Sequence, residues 1–580
     1  MNQTRTLLVF ALCFVLFLLW QQWQHDYAPA PAPTAASSAS AAAPAGSAIA
    51  VASSAAVPAP SAVPAVVAPG TSSAAAAAPA VAAAKPAPSA AHHLVEVDTD
   101  LLHLVIDSVG ASVVQADLKA YPRKLHSEQP VRLLSNDAAD YYVAQSGLVS
   151  AKAPAPNHTA HFASARSQYQ LAPGEQTLAV DFTWVDPSGI KVIKRYTLTR
   201  GSYVIGVSQT VVNNGTATWT GNAYRQFERV TPPEPKDENF AAKWANPAHY
   251  SFSGAAWYAD GKYDTRKFSD FKDDPLSISD KGGWLAMQQA FFFGAWIPQA
   301  DELDHYATAV VPGTQPDNPH YVLRASAAPF SVAPGEQGVA TSRMYLGPKL
   351  PEVLAQVAPG MELAVNYGML TVIAKPLHWI LSVFHSWVGN WGIAIILLVL
   401  LIKAVFFKLS EMQYRSMAKM KKLTPQIKAL KERYPDDKQK QQQAMMELYK
   451  REKTNPAGGC LPMLVQIPVF FGLYYMLPQS VELRQAPFFG WIQDLLAPDP
   501  YFVLPAIYAV ILIATQFLTP ATVGMDATQA RLMKFMPVIF AVMFAFFPAG
   551  LVLYYVVNGA LSLAQQWIIT KRIEAQPARA

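Results

Sequence analysis

The stretch LLVLLIKAVFFKLS, Leu397 to Ser410, sets one ammonium in an apolar run. Lys403 follows ten consecutive apolar residues, Ile393 to Ile402, and four more separate it from Lys408. A charge at mid-bilayer costs roughly 2.5–3.5 kcal/mol on insertion scales, so a lysine here needs a physical reason. Two readings are open. The stem can snorkel to the cytoplasmic headgroups, because Lys408 lies about 7.5 Å further along a helix. Alternatively, the head points into a polar cavity among helices.

Other polar side chains interrupt the apolar segments. Gln466 stands between Val465 and Ile467 in a segment that also carries Pro462 and Pro468. Gln516 lies near the end of the next segment. Asn558 interrupts the last one, with Tyr554 and Tyr555 a turn earlier and Gln565 and Gln566 beyond it. Such groups are either glue between helices or the lining of a cavity. Gln516 and Gln565 read as glue. Prolines near Gln466 are tolerated where water or a neighbouring helix completes the broken backbone pairing. No Asp or Glu lies inside the five apolar segments that follow residue 390 to neutralise Lys403. An ammonium so placed keeps water or takes an anionic visitor.

The same inventory excludes other chemistry. Those segments contain no His or Asp, so an intramembrane hydrolase has no residues to work with. No HExxH motif or His/Cys cluster points to a metal, and no cofactor motif stands out. The two cysteines, Cys13 and Cys460, both sit in apolar surroundings and read as packed thiols. The chain reads as a non-enzyme without cofactor or metal.

The elements that must position these residues follow from patterning. With 580 residues, 52% of them apolar, the chain falls in the membrane class. One arginine and then fourteen apolar residues, Leu7 to Trp20, read as an uncleaved signal-anchor over residues 1–27, a cleaved signal peptide being the alternative. Residues 28–92 are almost entirely Ala, Pro, Ser and Val and form a tether. From 93 to 348 the texture turns to strand-like alternation, as in KVIKRYTLTR and YVIGVSQTVV, punctuated by turns such as DPSGI and NNGT. That length of alternation predicts a large antiparallel β-sandwich. The paired His92 and His93 at its edge read as solvated.

Residues 349–390 lead into a helix on which Lys375, His378, Ser382 and His385 make one polar stripe opposite Ile373, Leu377, Ile380, Leu381 and Phe384. This predicts an amphipathic helix in the outer interface, its stripe wet and Trp379, Trp387 and Trp391 at headgroup depth. Five apolar segments follow: 391–409, 459–477, 501–518, 535–547 and 551–569. The fourth is short and gains credibility as half of a hairpin with the fifth.

Residues 410–455 hold twelve Lys and Arg against six Asp and Glu. With Arg5, Arg531, Lys534, Lys571 and Arg572, these charges fall at alternate crossings. The positive-inside rule then gives six spans with both termini cytoplasmic and the β domain outside. The basic loop reads as a helical hairpin over 411–454. Thr424 and Pro425 would open its first helix, Asp436 or Asp437 would cap the second, and Ile427, Leu430, Met445 and Leu448 would form the seam. Its exposed cations Lys421, Lys422, Lys428, Lys431, Arg433, Lys438 and Lys440 suit anionic lipid or ribosomal RNA.

With these residues in view the chain resembles the YidC/Oxa1/Alb3 family of membrane protein insertases, in its Gram-negative YidC form. The matching text includes NYGMLTVIAKPL, LKERYPDDKQK, NPAGGCLPMLVQIPVFFGLYYML, VELRQAPFFGWIQDL, MKFMPVIF and PAGLVLYY. The resemblance implies a polytopic α-helical membrane protein with six transmembrane helices. Five of them form an insertase core over 391–572, ahead of a cytoplasmic tail at 573–580, and the periplasmic domain is a β-supersandwich. It implies a client groove containing Lys403 and Gln466, with Phe470, Phe471, Tyr554 and Tyr555 alongside. It further implies nascent membrane proteins, the Sec translocon, the ribosome and anionic lipid as partners in a bacterial inner membrane. No small-molecule substrate is expected. Familiar members carry arginine where this chain has Lys403, which keeps the charge but loses the planar five-donor fork. The competing reading, a solute transporter or channel with a carbohydrate-binding outer domain, would call for repeated halves or midplane ion ligands, and the sequence shows neither.

Overall fold

The computed structural model describes residues 92–232, 251–313, 318–434, 437–452, 461–518 and 527–574. The predicted anchor and nearly all of the tether lie outside the described residues. So do 233–250, 314–317, 435–436 with the cap candidate Asp436, 453–460 with Cys460, 519–526, and 575–580 in the predicted tail.

Alternation builds the first part. Along the strand Ile190–Thr199, Ile190, Val192, Lys194, Tyr196 and Leu198 are buried, whereas Lys191, Ile193, Arg195 and Thr197 face outward. The period of two assigns one face to the core. The strand pairs antiparallel with Thr177–Val185 on one side and Val204–Asn213 on the other. The DPSG turn between the first two closes through Gly189 at φ +92°, a conformation that favours glycine. Among the described residues the strands form one sheet of eleven and one of nine. The pairing is antiparallel apart from Leu94–Asp98 beside Gln168–Gln170. Trp219, Trp296, Tyr142 and Phe227 fill the space between the sheets. The expected β-sandwich is therefore present, and its strands run from Leu94 to Pro348.

Lys194 enters this core as the inward residue of its strand. It is fully buried, and its Nζ donates to Gly110 O at 2.9 Å and Ser146 O at 3.1 Å, on the opposite sheet. Burial lowers its pKa from 10.5 to about 7. Lys349, buried at the end of the last strand with its Nζ on Gln288 Oε1, is lowered to about 7 for the same reason.

Helices make up the second part: α1 (Pro351–Val357), α2 (Thr371–Val388), α3 (Trp391–Val405), α4 (Phe407–Arg433), α5 (Lys438–Arg451), α6 (Leu461–Gln479), α7 (Val503–Leu518), α8 (Ala527–Phe544) and α9 (Ala549–Glu574). One apolar core runs from the sandwich through α1 into α2, α3, α6 and α9. Polar contacts also join the two parts. Trp284 Nε1 donates to Pro359 O at 3.1 Å, Arg484 Nη2 to Arg123 O at 2.9 Å and Gln485 Nε2 to Pro122 O at 3.2 Å. Among the described residues no single helix is long and apolar enough to cross a membrane, but α3 with the first half of α4, bent by 64°, passes as a pair.

Two expectations are corrected. His378 is not on a wet stripe: it is buried, 3.5 Å from the Glu482 carboxylate, with the Tyr367 ring beside it. The helix period identified a polar face, but the loop after α6 covers part of it. Nor does Pro425 open a helix. It lies inside α4, which runs unbroken from Phe407, and the Thr424 hydroxyl bonds back to Met420 O instead of capping. The seam explains this. Leu423 joins Ile427, Leu430, Met445 and Leu448 in the hairpin core, so contact with α5 begins before the proline and outweighs the backbone bond it loses. Asp437 caps α5, its Oδ1 accepting from Lys440 N at 3.0 Å. His92 is exposed as expected, yet its Nδ1 lies 2.6 Å from Asp107 Oδ2.

The buried lysines make stability depend on pH. Each folded-state pKa lies below the unfolded value, so the unfolded chain binds more protons between pH about 7 and 10.5, and stability rises with pH across that window. Thermal unfolding of the full chain in detergent, read by near-UV circular dichroism of the sandwich, is expected to show this rise. Lys194→Met should remove roughly half of it, at most ~1.4 kcal/mol per pH unit.

Candidate functional site

The sequence around Lys403 fixes where its stem begins. Asn390 caps α3, its Oδ1 accepting from Ile393 N at 3.0 Å while its Nδ2 donates to Phe488 O at 2.9 Å. A Cβ at Gly392 would run into the Phe488 ring, so glycine lets the loop close on the helix start. From that anchored end α3 runs to Lys403 in its last turn, directly before the bend into α4. Ile395, Leu398, Val399 and Ile402 are buried against the bundle, whereas Leu400 and Val405 face outward.

Lys403 is half-buried, and its Nζ donates to Ser562 Oγ on α9 at 2.6 Å. Ser562 in turn donates to Asn558 O at 2.7 Å, and Tyr414 of α4 lies beside the same serine. Among the described residues no carboxylate lies within ion-pair distance of Lys403. The ammonium is held by a neutral oxygen.

Two helical turns along α9, the remaining groove residues meet. Gln466 Nε2 on α6 donates to Tyr554 Oη at 2.8 Å. Phe470 packs against Phe471 at 4.9 Å and Tyr555 at 5.4 Å between ring centroids. Tyr508 from α7 and Phe544 from α8 close on Tyr555 from the other side. The Tyr555 hydroxyl and Asn558 Oδ1 are buried without a hydrogen-bond partner among the described residues. Unsatisfied buried polar groups are costly, and here they lie on the helix that also bears Ser562.

The structure thus brings Gln466, Phe470, Phe471, Tyr554 and Tyr555 into one cluster and ties Lys403, on α3, to α9 through Ser562, seven residues beyond Tyr555. Sequence reasoning missed Ser562, Tyr414 and Tyr508. A signal for the first existed: Tyr555, Asn558, Ser562 and Gln565 recur at spacings of three, four and three, one face of a helix.

In the helical hairpin of α4 and α5, Lys422, Lys428, Arg433 and Lys440 are exposed. The side chains of Lys421, Lys431 and Lys438 lie outside the described residues. Among the described residues no group of three His, Cys, Asp or Glu could hold a metal ion. Among the described residues the arrangement offers hydrogen-bond acceptors, one cation and aromatic walls, and no nucleophile is paired with a base.

Comparisons with known proteins agree in kind. Residues 94–380 match the family model of the YidC periplasmic domain, and residues 383–576 that of the 60Kd inner membrane protein. The Membrane protein insertase YidC of Thioalkalivibrio sulfidiphilus is 45% identical over 99% of both chains. That of Xanthomonas campestris pv. campestris is 43% identical over 100% of this chain and 99% of its own. A crystal structure of an active YidC insertase aligns over 82% of this chain and 92% of its own, at 18% identity and a TM-score of 0.36.

The Gln466–Tyr554 bond is testable by itself. Interhelical hydrogen bonds in membrane proteins average ~0.6 kcal/mol in double-mutant cycles. A cycle of Gln466→Leu and Tyr554→Phe, read by unfolding in detergent, is expected to return a coupling of about 0.5–2 kcal/mol. A coupling of zero would mean the two side chains do not meet.

Proposed function

The chain belongs to the YidC family of membrane protein insertases, and from that premise we propose that it inserts client transmembrane segments into the bacterial inner membrane through a groove lined by Lys403, Gln466, Phe470, Phe471, Tyr554 and Tyr555. The observation that carries this reading is the Lys403 ammonium, bonded to Ser562 with no carboxylate beside it among the described residues.

A client's polar flank loses water on entering hydrocarbon, and each backbone group or charge left unpaired there costs several kcal/mol. A polar, hydrated notch part-way across shortens the dry distance. The Lys403 cation attracts acidic residues of the flank, and unpartnered acceptors such as Asn558 Oδ1 can take backbone N–H groups. Phe470 and Phe471 offer the client's apolar span a surface along which to leave for lipid. Nothing covalent is required.

In this reading six helices span the membrane, the predicted anchor and five core segments, with the sandwich periplasmic and both termini cytoplasmic. The outward faces support it: Val510, Phe517, Phe535, Val538 and Val542 on α7 and α8 are exposed, as a lipid contact demands. Exposed Trp379 and Trp387 on α2, with the exposed Lys375 one turn before Trp379, suit the headgroup layer. The basic hairpin would meet ribosomes or anionic lipid, and a Sec-type translocon would work beside the protein on larger clients.

A photo-crosslinking amino acid at position 466, and separately at Val510 as a lipid-facing control, tests the path in inverted membrane vesicles programmed with a stalled single-span client. Crosslinks that depend on nascent-chain length at 466 and not at 510 are expected, and Lys403→Glu should reduce insertion more than Lys403→Arg. Client crosslinks absent from 466, with the protein folded, would contradict the groove.

A further inference from the structure

Ser562 is the one protein group that Lys403 reaches among the described residues, and this bond joins the end of α3 to the middle of α9. The hydroxyl proton is committed to Asn558 O one turn back, which fixes the side-chain rotamer and turns the oxygen lone pairs outward. We propose that Ser562 is a positioning residue for insertion, holding the Lys403 ammonium in the groove so that it meets acidic groups of a client. This inference rests on the groove reading above and adds to it the group that sets the cation's place.

A lysine stem has four rotatable bonds, and the bend after Val405 leaves Lys403 only a turn from the end of its helix. Without an anchor the head would follow solvation toward the phosphates. A carboxylate could hold it, but would also neutralise it and occupy its donors. A hydroxyl holds without neutralising: the charge-assisted bond at 2.6 Å takes one of three N–H donors. The other two have no protein acceptor among the described residues. The site is therefore a tethered cation with free donors, and the chemistry it recognises is a carboxylate in the translocated flank. An arginine reaches farther and spreads its charge over a planar fork. A lysine depends more on what its single nitrogen binds, so the serine matters here because position 403 is lysine.

The test uses the full chain in proteoliposomes and two single-span clients that differ only in the translocated flank, one with two aspartates and one with asparagines. Ser562→Ala, Ser562→Thr and Lys403→Ala are compared with the unaltered protein, each checked for folding by thermal unfolding. A hydrogen bond to a charged group is worth enough for a change of about tenfold. Ser562→Ala is expected to slow insertion of the aspartate client by about that factor relative to the asparagine client, and Ser562→Thr, which keeps the hydroxyl, to restore it. Equal slowing of both clients by Ser562→Ala would assign the serine to packing and overturn the proposal. So would no change with Ser562→Ala while Lys403→Ala abolishes the difference between clients. If Lys403→Ala leaves that difference intact, the groove reading fails and the positioning role fails with it.

Discussion

Water leaves a charge reluctantly, and the helical half of this protein is organised around one charge that has left part of its water behind. The Lys403 ammonium meets a single hydroxyl, Ser562, where a soluble protein would more often supply a carboxylate. For that bond to exist, α3 must be anchored by Asn390, α3 and α4 must bend after Val405, and α9 must lie across both. The same crossing sets Tyr554 against Gln466 on α6. An ion pair would have made a more self-sufficient bundle, but one with nothing to offer a client. Among the described residues the Tyr555 hydroxyl and Asn558 Oδ1 are left without partners, as the proposed passage, which must bind briefly and release, would require.

The periplasmic sandwich takes the opposite course with its own buried cation. Lys194 has two backbone carbonyls as partners, and its environment favours the neutral amine. Its bonds tie the two sheets together, whereas the Lys403 bond leaves donors open. The sandwich is joined to the helices by α1, by Trp284 on Pro359 and by Arg484 and Gln485 on the hairpin at Pro122 and Arg123. Its core is continuous with that of the helices.

Much of this was legible in the residues. The alternation from His93 onward predicted the sandwich, but not the carbonyls that Lys194 reaches, because those come from segments of distant sequence. Lys403 and Gln466 stood out as polar residues in apolar runs. Ser562 did not, since a serine in an apolar helix resembles many that bond only to their own backbone, and only the crossing of α3 over α9 gives it a partner. His378 was misread for a related reason: helical period reports a polar face, but the covering loop with Glu482 lies a hundred residues on. Pro425 is a case of packing overriding local preference, because Leu423 was already engaged in the hairpin seam.

In the proposed function the space beside Ser562 and Asn558 must be wet and open to the cytoplasm, although it lies among helices proposed to span the membrane. A chain with Cys13 and Cys460 replaced, carrying a single cysteine at 558 or at the lipid-facing position 542, would be treated in inverted vesicles with a membrane-impermeant maleimide. Only a hydrated thiol ionises and reacts. The account predicts labelling at 558 well above that at 542, with protection when a stalled client is engaged. Labelling at 558 no faster than at 542 would mean a dry interface, and the groove as described here would not exist.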